Sequence, residues 1–95
     1  MEWIKANRRL PKTTDEVLIT WINSEPAPYY SDIKDKPFVS TGQFYKGKWF
    51  WHGNSTKEYL DEYGICGYTR TDMVDHRIHI IAWAPMPEPY KEERP

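Results

Sequence analysis

Lys46-Gly47 separates two alternating runs, residues 38–45 and 48–52, and this spacing constrains the fold more than any other feature of the sequence. A two-residue connection with glycine second suits a tight β-hairpin, because the twist of such a turn matches the twist of its strands. With Lys46 and Gly47 as the turn, Tyr45 faces Lys48, Phe44 faces Trp49 and Gly42 faces Trp51. Side chains alternate along a strand, so Gly42, Phe44, Trp49 and Trp51 share one face. Gln43, Tyr45, Lys48, Phe50 and His52 share the other. The first face is the expected core, with the Trp51 ring lying over the bare backbone of Gly42.

Other elements follow from the same kind of patterning. Residues 17–22, Val-Leu-Ile-Thr-Trp-Ile, form a short β-branched apolar run and read as a central strand. Residues 23–37 carry three prolines and the pair Tyr29-Tyr30, which predicts a long loop. Ser55-Thr56-Lys57-Glu58 is a capping box and Gly64 a stop signal, predicting a short helix over residues 56–63. Residues 76–83 read as the last strand, with Ile78, Ile80 and Ala82 on one face and Arg77, His79, Ile81 and Trp83 on the other. Trp3-Ile4 with Leu10-Pro11 reads as an anchored N-terminal arm. The expected fold is therefore α+β: a small, mixed but mainly antiparallel sheet of about four strands with one short helix. Trp3, Val17, Ile19, Phe44, Trp49, Ile80 and Trp83 are the expected core.

The chain has 95 residues, which fits a single domain over 1–95, with 1–89 as ordered framework and 90–95 as a loose charged tail. Thirteen basic against fourteen acidic residues give a net charge of −1, which argues against strong binding to a nucleic-acid polymer. One cysteine, Cys66, excludes an internal disulfide and fits a reducing cytoplasm. It lacks a visible base, so it is expected to be inert. His52, His76 and His79 show no ligand spacing, and His76 and His79 alternate to opposite faces of a strand, so neither metal nor cofactor is expected. The N-terminus has no apolar leader and no stretch approaches the length of a membrane span, so a soluble cytoplasmic protein is expected.

Trp3-Ile4, Leu10-Pro11, Val17-Leu18-Ile19, Gly42-Gln43-Phe44 with Trp49, and the closing stretch from Ile80 to Pro89 resemble a small bacterial and phage family, domain-of-unknown-function family five-five-one. The resemblance covers about half of the residues and departs at Ala82, where the family has a histidine before its closing Trp. It implies a phage or prophage setting, hence the host-cell cytoplasm, and a small sheet with little helix. It implies no activity.

Five Trp, seven Tyr and three Phe exceed what so small a core needs. Tyr29, Tyr30, Tyr59, Tyr63 and Tyr68 with Arg70 and Arg77 form the expected ligand-binding set, since aromatic faces stack on nucleobases and an Arg fork grips phosphate at two points. The expected function is non-enzymatic binding: sequestering a small nucleotide signal of host defence in an aromatic-lined pocket, expected at the interface of a homodimer or other homo-oligomer because so small a domain encloses little alone. The alternative is a protein-binding inhibitor of a host enzyme that uses the same aromatics. No acid, base or metal set points to catalysis.

Overall fold

The computed structural model describes residues 2–52 and 73–92. Its strands are β1 (Ile4–Lys5), β2 (Val17–Asn23), β3 (Phe38–Tyr45), β4 (Lys48–Trp51) and β5 (Ile78–Pro85). They form one five-stranded sheet in the order β1-β5-β2-β3-β4, and every pairing is antiparallel. The fold is thus sheet-dominated, with one strand more than the sequence suggests and no parallel pairing among the described residues. The expected helix at 56–63 lies outside them. The helical element that is described, a short 3-10 helix at Pro28–Ile33, stands where a loop was expected.

The hairpin follows the sequence closely. Lys46 and Gly47 have φ of 44° and 80°, the paired positive values of a turn matched to strand twist. Gly42 pairs with Trp51, Phe44 with Trp49 and Tyr45 with Lys48, as the spacing requires. The tightest approach at Gly42 comes from the backbone of Phe50 and the side chain of Ile19. A Cβ there would fall 2.5 Å from the Phe50 carbonyl oxygen and 3.2 Å from Ile19 Cδ1. Glycine is needed for that close backbone approach, while the Trp51 ring packs edge-on to Trp21 at 5.4 Å.

Val17, Ile19 and Trp83 form the front-face core, with Ile4, Trp21, Trp49, Trp51 and Ile80 packed against it. Aromatic pairs continue along this face: Trp21 with Phe38 at 5.1 Å and Phe44 with Trp49 at 5.0 Å between ring centres. Strict alternation would send Ile80 and Trp83 to opposite faces, yet both reach this core. The reason is a bulge in β5: Thr20 pairs with Ala82 and Trp21 with Ile80, so Ile81 is an extra residue that resets the alternation. β5 also begins two residues later than expected and runs to Pro85, where proline at a strand's end breaks no further ladder.

Two expectations about burial are corrected. Trp3 is 42% exposed, not core, because β1 is only two residues long and sits at the sheet's edge. Phe50, assigned by alternation to the outer face, is fully buried there together with Gln43, its cross-strand partner. Ala84 is fully buried as well, so both faces of the sheet are covered. The N-terminal arm is a strand rather than a mere anchor: Ile4 pairs with Trp83 and Lys5 with Ala82. The arm is tied down further by the Trp83 indole N–H, which donates to the Arg9 carbonyl at 2.8 Å.

Candidate binding surface

Three of the seven residues singled out from sequence are described, and they gather at one end of the sheet. β2 leaves the sheet at Asn23 and β5 enters it opposite, at Ile78. The Ser24 N–H donates to the Arg77 carbonyl at 3.0 Å, stitching the two segments together. Tyr29 and Tyr30 stand on the 3-10 helix between β2 and β3. Tyr59, Tyr63, Tyr68 and Arg70 lie outside the described residues, as does Cys66.

The tyrosine turn is built by local chemistry. Pro28 opens the 3-10 helix, where its fixed φ suits the first helical position and its missing N–H costs nothing. The Tyr30 N–H donates to the Ala27 carbonyl at 2.8 Å, and the Asp35 N–H reaches back to the Asn23 carbonyl at 3.0 Å, closing the loop. Asn23 Oδ1 also accepts from the Glu25 N–H at 2.9 Å, a side-chain turn that starts the excursion. Held this way, Tyr29 is 94% exposed and Tyr30 63% exposed. Phe38, the first residue of β3, adds a partly exposed aromatic edge next to Trp21.

Arg77 is occupied rather than open. Its Nε and Nη2 donate to the two carboxylate oxygens of Asp75 at 3.0 and 3.2 Å, and its backbone N–H donates to Asp75 Oδ1 at 2.9 Å. These bonds from the Arg77 side chain first, and then from its backbone, lower the Asp75 carboxyl from 3.8 to about 2. Because the folded value is depressed, whatever the pair adds to stability is present above pH 3.8 and lost as pH falls toward 2. In Arg77→Ala the Asp75 titration, followed by carboxyl-carbon NMR, should move from about 2 back toward 3.8. An unmoved midpoint would mean that other groups hold the carboxylate.

Two further features escaped sequence reasoning. Gln43 Nε2 lies 2.8 Å from His52 Nδ1, and His52 Nε2 lies 3.6 Å from Glu16 Oε2. Gln43 Oε1 is buried with no hydrogen-bond partner among the described residues. Alternation did place Gln43 and His52 on one face, but nothing in the sequence marked that face as covered. The second feature is a cleft of about 630 Å³ where β1 meets the β5 bulge, lined by Trp3, Ile81 and their neighbours. It was illegible because neither β1 nor the bulge has a sequence signal. His79 Nε2 lies 3.0 Å from Ser24 Oγ, and His76 Nδ1 lies 3.2 Å from Asp75 Oδ1. Among the described residues no three His, Cys, Asp or Glu side chains group as a metal would require. Nor is any described helix long and apolar enough to cross a membrane.

No family model matches the chain, and no curated protein or solved structure matches it significantly.

Proposed function

We propose that this chain is a non-enzymatic binding module that engages a protein partner through the aromatic end of its sheet. The observation that carries this reading is the pair Tyr29 and Tyr30, 94% and 63% exposed on a short turn closed by backbone hydrogen bonds. Exposed tyrosines are amphipathic, lose little side-chain entropy on binding, and serve as anchors in protein interfaces. Phe38 extends the same surface. In the phage or prophage setting that the family resemblance implies, the partner is a host protein and the module its inhibitor.

The nucleotide-sequestering reading has less support. It asks Arg77 to grip a phosphate, but the guanidinium already holds Asp75 in a two-point pair. That carboxylate stays ionised far below neutral pH, so an incoming phosphate meets a negative charge and must displace it. Calorimetric titration with cyclic and linear nucleotides separates the two readings. No binding tighter than about millimolar is expected. A micromolar nucleotide whose affinity falls in Tyr29→Ala would put nucleotide sequestration in first place. In parallel, the native protein used as bait should retain a host protein that the Tyr29→Ala/Tyr30→Ala bait does not.

A further inference from the structure

The cleft at the β1 edge has the makings of a second, separate site. Its volume of about 630 Å³ is lined by Trp3, Lys5, Asn7, Ile80, Ile81 and Ala82. Ligand sites commonly enclose about 300–1,000 Å³, with apolar walls and a few converging polar groups. The bulge at Ile81 shapes this one: the extra residue interrupts the β5 ladder just where β1 ends, and the Ala6 N–H closes on the Ile81 carbonyl at 3.1 Å. Lys5 pairs across the ladder with Ala82, on the face away from the buried side of Ile4. Trp3 and Ile81 remain 42% and 44% exposed.

The polar groups of this cleft are unspent. The Trp3 indole N–H, the Lys5 ammonium and the Asn7 amide make no side-chain hydrogen bond or ion pair with any described residue. An indole and an ammonium can only donate, and the Asn amide adds two more donors. Donors gathered beside an indole face and isoleucine side chains complement a flat apolar body that carries an anionic acceptor. An added β-strand fits poorly, because the bulge breaks the ladder such a strand would have to continue.

We propose that this cleft binds a small aromatic carboxylate, its ring against Trp3 and Ile81 and its carboxylate on Lys5 with the indole N–H or the Asn7 amide. The test uses indole-3-acetate and its neutral analogue indole-3-acetamide as probes, titrated into the ¹⁵N-labelled full chain and followed by NMR. Indole-3-acetate should give saturable shifts at the Trp3 indole N–H and at the amides of Lys5, Ile81 and Ala82. It should bind about five- to tenfold more tightly than the amide at low salt, the margin of a charge-assisted hydrogen bond over a neutral one. Lys5→Gln, an exposed position with no ion-pair partner among the described residues, should keep the fold and abolish that margin. Trp3→Ala should weaken both probes. Absence of saturation by about 10 mM, shifts centred elsewhere, equal affinity for the two probes, or a margin that survives Lys5→Gln would each overturn the proposal.

Discussion

Phe50→Ala should destabilise the protein by about 3–5 kcal/mol, the range for removing a fully buried aromatic ring. Phe50 has no exposed surface and is among the largest fully buried side chains among the described residues. Its backbone also bridges to Met73, and the neighbouring Trp49 carbonyl accepts from the Val74 N–H at 2.9 Å. Loss of the ring therefore loosens the packing of the reverse face, while these backbone links at the β4 edge do not depend on it. Urea unfolding monitored by tryptophan fluorescence measures the effect. Val39→Ala, at a position 59% exposed, is the control and should change stability by no more than about 0.5 kcal/mol. A Phe50→Ala effect below about 1 kcal/mol would mean that the reverse face is not covered as described.

Gly42→Ala is the second large effect, expected at about 3 kcal/mol, the upper end of the usual cost of overpacking. The new methyl would lie 2.5 Å from the Phe50 carbonyl oxygen. A flexible side chain can swing away from such an intrusion, but a carbonyl held in the β3–β4 ladder cannot. The strands must part or the hairpin must shift register. Ile19 Cδ1 at 3.2 Å leaves no room on the other side. Gly47→Ala makes the contrast: nothing lies within 4 Å, and the cost is the strain of a side chain at φ of +80°, about 1 kcal/mol. The two melts measured side by side separate steric from conformational need. Equal losses would contradict the close approach at Gly42.

The hairpin was legible because its information is local. Lys46-Gly47 sets the turn, the turn sets the register, and alternation sets the faces. Burial was harder to read, since alternation says which residues share a face but not what covers that face. Phe50 and Gln43 are therefore grouped correctly on one face, but only the opposite face is expected as core, whereas both are fully buried. β1 was missed because two residues carry no periodicity, and a pairing between Ile4 and Trp83 spans nearly the whole chain. The β5 bulge was missed because an extra residue in an apolar run, Ile78-His79-Ile80-Ile81, looks the same as its neighbours. Sequence reasoning nonetheless took Ile80 and Trp83 both as core, and the bulge reconciles that with their spacing. Of the binding set, the tyrosine pair was legible from composition and from the prolines around it. The engagement of Arg77 by Asp75 was not, because it depends on how the chain turns into β5.

The measurement that bears most directly on the binding reading is the affinity of the purified captured partner for the native protein and for Tyr29→Ala/Tyr30→Ala, determined by calorimetry at fixed salt. The double variant should lose about 2–4 kcal/mol of binding energy, roughly 30-fold or more, while its urea midpoint stays unchanged. Both side chains project into solvent in the free protein, so the fold has little to lose from their removal. Unchanged affinity in the double variant, or a partner held only through the β1 cleft or the front-face aromatics, would contradict the assignment of Tyr29 and Tyr30 as the binding anchors.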